Sequence, residues 1–159
     1  MKIEIVPCKK EFIDEVIEIT YIAWQPIFDH YLETLGEKMF NDLYGNWKQA
    51  KHRRISNGMT SGRGYVALVD GEIAGFIFYV IDKDKKMAYL EENAVSPKFR
   101  GLGIASKMYE FVLNKMREDG MLYATVTTGL DDAHAPARHA YEKVGFSSPI
   151  ESVRYHIAL

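Results

Sequence analysis

A glycine-rich segment lies between a stretch typical of a strand and a stretch typical of a helix. It reads Arg100-Gly101-Leu102-Gly103-Ile104-Ala105. The first backbone N–H groups of a helix have no partner within it, and the positive end of the helix dipole favours anions there. Glycines let a ligand approach the backbone closely because they have no side chain. The segment therefore indicates a diphosphate site; the alternative is a loop that needs glycine only for positive φ angles.

Two common nucleotide sites do not fit this segment. A dinucleotide fold places the glycine turn after its first strand and an acidic residue about 20 positions later. Here the turn lies about two-thirds of the way along the chain, and the next strand ends in Thr127-Thr128-Gly129 without a carboxylate. An ATP-type phosphate loop needs Gly-Lys-Ser/Thr, whereas Ser106-Lys107 follows Ala105 here. Both nucleotide classes are disfavoured, including a dinucleotide-dependent oxidoreductase.

Two motifs occur in order in the second half of the chain. Arg100, Gly103 and Ala105 fit the pattern Arg/Gln-x-x-Gly-x-Gly/Ala, and the second motif is Ala140-Tyr141-Glu142-Lys143-Val144-Gly145-Phe146. Together they resemble the GNAT superfamily of acyl-CoA-dependent N-acyltransferases over roughly residues 65–146. The resemblance implies an acetyl-CoA-dependent N-acetyltransferase. A non-catalytic acyl-CoA-binding module with the same fold is the alternative.

The resemblance also implies where acetyl-CoA binds as co-substrate. Its pyrophosphate would lie on the glycine turn, whose cofactor residues are then Arg100, Gly101, Leu102, Gly103, Ile104, Ala105 and Ser106. The backbone of Val95, at the end of the preceding strand, would contact the pantetheine arm. Many relatives carry Asn seven residues before the motif tyrosine, where this chain has His134, and we expect the imidazole to keep a contact with the cofactor.

Three residues are candidates for catalysis. In similar proteins an amine attacks the thioester directly and a tyrosine in the position of Tyr141 protonates the departing thiolate; the alternative for Tyr141 is an ordinary core aromatic. Deprotonating an alkyl amine at pH 7 costs about 4 kcal/mol, so a base should assist. Glu91 and Glu92 are the candidates. Strand alternation sends them to opposite faces, and the resemblance favours Glu91; the alternative is a solvated or ion-paired acid.

The resemblance implies a small-molecule or peptide amine as the acceptor, which the sequence does not identify further. Aromatic residues enrich the region that frames the acceptor in similar proteins, and they form either an acceptor wall or core: Trp24, Phe28, His30, Tyr31, Tyr44 and Trp47. No acidic cluster there argues for a polycationic acceptor. Asp131, Asp132 and His134 are more typical of a helix cap than of a metal site, so no metal is expected.

Composition narrows the class of protein. The 159 residues are 47% apolar and 26% charged, as is typical of a single domain, residues 1–159. A formal charge of -2 gives no positive field for nucleic acid. Neither a secretory signal nor a membrane span is expected, since no apolar stretch reaches about 18 residues, and the one cysteine, Cys8, cannot form an internal disulfide. We therefore expect a cytoplasmic protein with no membrane partner.

Periodicity predicts an α/β fold, a GNAT-like mixed central sheet with helices on both faces, in the order β-α-α-β-β-β-α-β-α-β. A first helix is expected to end at Pro26, and a basic run, Lys48 to Arg54, is expected at the end of the second helix, where cations complement the dipole. The alternative for that run is contact with an acidic ligand. Asp70-Gly71 predicts a hairpin turn. A closing strand over 153–157 is a candidate for pairing across a homodimer.

Overall fold

The computed structural model describes residues 1–159 and is built on one five-stranded sheet. Its elements are β1 (Ile3–Pro7), α1 (Ile13–Leu35), α2 (Glu37–Tyr44), α3 (Trp47–Met59), β2 (Gly64–Val69), β3 (Glu72–Asp82), β4 (Met87–Val95), α4 (Ile104–Glu118), β5 (Tyr123–Val126) and α5 (Ala135–Lys143). The strands lie in chain order; β1 to β4 are antiparallel, and β4 and β5 are parallel. The predicted α/β class with a mixed sheet is confirmed. None of the helices is long and apolar enough to cross a membrane.

The sheet is buried on both faces. On one face α1 and α3 pack through Val16 and Ile55 against Phe76 and Phe78 of β3. On the other face α4 and α5 pack against alternate strand residues, among them Ile77 and Tyr79. Because both faces carry helices, β2 and β3 are nearly continuous apolar runs rather than strict alternations.

The hairpin between β2 and β3 forms as predicted. Its turn residues Asp70 and Gly71 have φ angles of 49° and 90°. Two consecutive positive φ values match the twist of the flanking strands, which explains why the Asp-Gly pair is a strong signal.

Strand β4 is irregular at Glu91 and Glu92. Ile77 pairs with Asn93, but Tyr79 pairs with Leu90, so Glu91 and Glu92 both lie opposite Phe78. Such a β-bulge bends the strand and breaks the alternation of its side chains. Pairing with β5 also stops at Leu90 and Val126. Beyond the bulge β4 therefore has a free edge, and a wedge opens between the two parallel strands.

The early helices differ from the prediction. Helix α1 continues through Pro26 to Leu35. Proline withholds one N–H from the carbonyl of Ile22, but the helix resumes because Phe28, beyond the proline, is buried and stacks on Trp47 with 4.4 Å between ring centroids. Gly36, at a φ of 77°, ends α1, and the second predicted helix is divided into α2 and α3.

The basic run was expected at a helix end, and that expectation is wrong. Lys48, Lys51, His52, Arg53 and Arg54 lie in the first two turns of α3. Cations there gain nothing from the helix dipole. Instead, Lys51 and Arg54 pair with the two glutamates of the β4 bulge.

The predicted closing strand over 153–157 does not form. Residues 147–159 have no regular secondary structure, and Val153, Tyr155 and Ile157 are exposed. Alternation is a property of the segment alone, whereas a strand also needs a partner edge to satisfy its backbone.

We predict that Gly58→Ala destabilises the protein. A Cβ at Gly58 of α3 would overlap the buried ring of Phe78, and such overpacking costs about 1–3 kcal/mol. Urea unfolding measures the change, with Asn57→Ala, at an exposed position of the same helix, as the matched control. A stabilised Gly58→Ala protein, as expected for a helical glycine without close neighbours, would contradict the close packing of α3 on β3.

Candidate active site

A cleft of about 810 Å³ opens at the wedge between β4 and β5. One wall comes from α1 and α3 and includes Trp24, Ile27 and Lys51. The floor is the free part of β4, and the opposite wall is formed by the glycine turn, the start of α4, and α5. The parting of the two strands thus exposes backbone groups to a concave space, as is usual for a ligand site.

The glycine turn lies at one end of the cleft. Gly101 and Gly103 have φ angles of 77° and 73°, and Gly103 is the N-cap of α4 without any capping side chain. The first amides of α4 are therefore open to an anion. Lining residues from the predicted set are Arg100, Gly101, Gly103, Ile104, Ala105 and Ser106. Leu102 does not line the cleft, and its side chain is exposed.

The free edge of β4 forms the middle of the cleft. Val95 pairs with Gly75 of β3 on one side and has no partner in β5 on the other. Its backbone is therefore available to an extended ligand on the side of the cleft. Val95 and the glycine turn line the same cleft.

Tyr141 lies in the cleft within a hydrogen-bonded chain of three side chains. Asn93 Nδ2 donates to the Tyr141 hydroxyl oxygen over 3.1 Å, and the Tyr109 hydroxyl donates to Asn93 Oδ1 over 2.7 Å. The Tyr109 and Tyr141 ring centroids are 5.1 Å apart. Because Tyr141 accepts from Asn93, its own proton is free to be donated into the cleft.

The surroundings of Tyr109 and Tyr141 keep both phenol groups protonated. Burial raises the pKa of Tyr141, which is 7% exposed, and the hydrogen bond from Asn93 offsets part of that rise. Burial also raises the pKa of Tyr109. Sequence reasoning missed Asn93 and Tyr109. Alternation with Val95 could have placed Asn93 on the cleft, and the one-turn spacing from Ala105 could have placed Tyr109 there.

Glu91 and Glu92 both line the cleft, so the expectation that they point to opposite faces is wrong. The bulge opposite Phe78 is the reason. Both acids are ion-paired. Glu92, 12% exposed, accepts from Lys51 Nζ over 2.8 and 2.9 Å and from Arg54 Nε over 2.9 Å. Arg54 also donates through Nη2 to Glu91 Oε2. Glu91 Oε1 has no hydrogen-bond partner within the chain.

Lys51 is an unusual wall residue. Its ammonium lies 4.5 Å from the centroid of the Trp24 ring and its side chain is 16% exposed. Burial lowers the pKa of Lys51, and the attraction of Glu92 only partly restores it. The cation is held between an aromatic face and a carboxylate, which fixes its position.

His134 lies in the cleft beside the start of α5. Its Nδ1 is 2.6 Å from Asp131 Oδ1. Burial raises the pKa of the Asp131 carboxyl, but the hydrogen bond and charge of His134 outweigh it, so the pKa lies below its ordinary value. Arg138 ties the same loop by donating to the carbonyls of Gly129 and Asp131, over 2.6 and 2.9 Å. No three His, Cys, Asp or Glu side chains are grouped as metal ligands would be.

The aromatic residues of the early helices divide between wall and core. Trp24 lines the cleft. Phe28 and Trp47 are buried, and Tyr31 and Tyr44 pack on Phe28 with centroids 5.5 and 6.0 Å away. This second group joins α1, α2 and α3 and supports the wall from behind.

Comparison with known proteins places the chain in a family. The sequence profile of the acetyltransferase (GNAT) family matches residues 18–146. This match covers most of the chain, which therefore belongs to the acetyltransferase (GNAT) family. No curated protein sequence matches it.

Solved structures share the fold. The PaiA N-acetyltransferase from Thermoplasma acidophilum, in complex with coenzyme A, is 18% identical with a TM-score of 0.73, over 96% of this chain and 94% of that one. The aminoglycoside N-acetyltransferase AAC(6')-Iy, with a bisubstrate analogue, is 15% identical with a TM-score of 0.67, over 100% of both chains. The ribosomal-protein-S18-alanine N-acetyltransferase from Escherichia coli is 13% identical with a TM-score of 0.68, over 94% and 80%.

Proposed function

We propose that residues 1–159 form one acyltransferase domain that moves the acetyl group of acetyl-CoA to a primary amine of a small molecule or peptide. The observation that carries the proposal is the placement of an anion-binding glycine turn and a proton-bearing tyrosine, Tyr141, on the same cleft. The complex of the PaiA protein with coenzyme A supports the choice of donor. The cytoplasm is the proposed compartment, supported by the lone free thiol of Cys8. No nucleic acid or membrane partner is proposed.

The cofactor is proposed to lie along the cleft from the glycine turn to Tyr141. The amides at Gly103 to Ser106 and the guanidinium of Arg100 would hold the pyrophosphate. The free edge of β4 at Val95 would bond the amide groups of the pantetheine arm as an added strand does. His134, fixed by Asp131, would contact the same arm.

The transfer is proposed to proceed in one direct attack. The neutral amine nitrogen forms a bond to the thioester carbon, and the carbon–sulfur bond breaks as the tetrahedral adduct collapses. The departing thiolate takes the Tyr141 proton. Glu91 Oε1, the open carboxylate oxygen, first takes a proton from the bound ammonium group and releases it to solvent, which gives the neutral amine. After the attack Glu91 takes the amine's excess proton and releases it in the same way, and a proton from solvent restores Tyr141.

Asn93 and Tyr109 are proposed as positioning residues. Tyr109 fixes the Asn93 amide so that its N–H group, rather than its carbonyl, faces Tyr141. A donor at the Tyr141 oxygen stabilises the tyrosinate that forms when the proton leaves. The pair therefore orients the acid and assists its ionisation without touching the substrate.

Calorimetry of the purified protein tests the donor. We expect micromolar binding of acetyl-CoA and none of NAD or ATP. Arg100→Gln should weaken acetyl-CoA binding about tenfold because it removes a charge-assisted contact to the pyrophosphate. Lys98→Gln is the matched control, since Lys98 pairs with Glu72 and does not line the cleft. Absence of acetyl-CoA binding would contradict the donor and the proposed reaction.

Tyr141→Phe tests the chemistry. The loss of the acid should lower kcat by about 10- to 1000-fold and leave the KM for acetyl-CoA nearly unchanged. Thiol release in the presence of an amine panel measures both constants. Tyr123→Phe, at an exposed tyrosine of β5, should behave like the wild type. An unchanged kcat would remove Tyr141 from the mechanism, and binding without thiol release for any amine would favour the non-catalytic module.

A homodimer is also proposed. The tail exposes Val153, Tyr155, Ile157 and Leu159 at alternate positions, and β5 is a sheet edge with no outer neighbour. In the proposed dimer, residues 153–159 pair as a strand with a second copy of the chain. This pairing would satisfy backbone groups that are otherwise unpaired in that segment and at a sheet edge. Sedimentation velocity should show a dimer that the double variant Tyr155→Asp, Ile157→Asp converts to monomer. A wild-type monomer at all concentrations would refute it.

A further inference from the structure

A second, smaller pocket adjoins the cleft on the side of α3. It has a volume of about 210 Å³, and its polar lining residues are Arg54, Glu91, Glu92, Thr125 and Thr127. It shares Glu91, Glu92 and Thr127 with the cleft, so the two spaces meet where β4 parts from β5. A group in the small pocket would reach the cleft from the side opposite to the glycine turn.

The charges of this pocket are balanced. Lys51 and Arg54 face the two carboxylates of Glu91 and Glu92 at hydrogen-bond distance. Both Glu92 oxygens and one Glu91 oxygen are occupied, which leaves Glu91 Oε1 as the one open carboxylate oxygen of the pair. The pocket can therefore receive one ammonium group without losing an existing ion pair.

The basic residues beside the pocket all come from α3. Helix α3 carries Lys48, Lys51, Arg53 and Arg54 and has no acidic residue. Of these, Arg54 lines the small pocket and Lys51 lines the cleft, whereas Lys48 and Arg53 line neither. A second ammonium group on the acceptor would meet this helix, and like charges within a few ångströms repel.

We infer that the pocket lined by Arg54 and Glu91 receives the acceptor and selects amines with a single positive charge and a neutral or anionic body over polycations. This selection presupposes the acetyl transfer proposed above. Arg54 and Lys51 act as specificity-determining residues because they neutralise the two acids that would otherwise attract polycations.

Three acceptors of equal length test the charge selection: 1-aminohexane, 6-aminohexanoate and 1,6-diaminohexane. For the wild type, kcat/KM should be lowest for the diamine. Arg54→Gln should raise the ratio of kcat/KM for the diamine to that for 6-aminohexanoate about three- to tenfold, as expected for removing one nearby charge. Half-molar salt should shrink the change, because exposed charges are screened. Arg54 is 54% exposed, so its replacement should not prevent folding.

The matched control is Arg53→Gln, which removes the same charge from the next residue of α3. Arg53 is exposed and has no ion pair, so the ratio should change less than twofold. Lys51→Gln should change the ratio in the same direction as Arg54→Gln. A wild type that prefers the diamine, or equal ratios in the Arg53 and Arg54 variants, would overturn the inference.

Measuring amine binding without turnover tests this inference independently of the proposed activity. NMR titration of the coenzyme A-bound protein with the same three amines ranks their affinities without turnover. The diamine should again bind most weakly, and Arg54→Gln should reduce the difference in affinity between the diamine and the other two amines. If the three amines bind in the expected order but none is acetylated, the proposed activity is refuted and the charge selection by the pocket is supported. If the amines are acetylated but their affinities do not depend on charge, the activity is supported and the charge selection is refuted.

Discussion

The separation of β4 from β5 after Leu90 is the constraint on which the site depends. Two parallel strands that stayed paired would satisfy each other's backbone and leave no room between them. The bulge opposite Phe78 prevents this by bending β4 away, so that residues 93–95 stay paired with β3 and offer their other edge to a ligand. The cleft, the free edge and both glutamates follow from this one irregularity.

The bulge is stabilised from the side of α3. Two consecutive glutamates on one face would repel each other in a half-buried place. Arg54 bridges both carboxylates and Lys51 holds the second, so the helix supplies the charges that the strand needs. Gly58 lets the same helix lie directly on Phe78, the residue opposite the bulge. Helix α3 thus packs on Phe78 and forms ion pairs with Glu91 and Glu92, the two residues opposite it.

The opposite side of the cleft is built for a different chemistry. There a chain of hydrogen bonds runs from Tyr109 through Asn93 to Tyr141. Burial keeps both phenols neutral, while the asparagine leaves the Tyr141 proton directed away from itself. Acid and base sites are therefore separated by the strand: the tyrosine is on the side of α5 and the carboxylates are toward α3.

The sequence alone determined the features that obey local rules. Asp70-Gly71 predicted its turn because few residue pairs accept two positive φ angles, and the glycine turn before α4 was visible for the same reason. The position of Tyr141 followed from its motif on α5. Only the tertiary structure decided the rest: the course of α1 past Pro26, the shared face of Glu91 and Glu92, and their pairing with α3. The reason is distance along the chain. Lys51 and Glu92 are 41 positions apart, and Asn93 and Tyr141 are 48 apart; no local pattern records which distant side chain will arrive to satisfy a charge or a hydrogen bond.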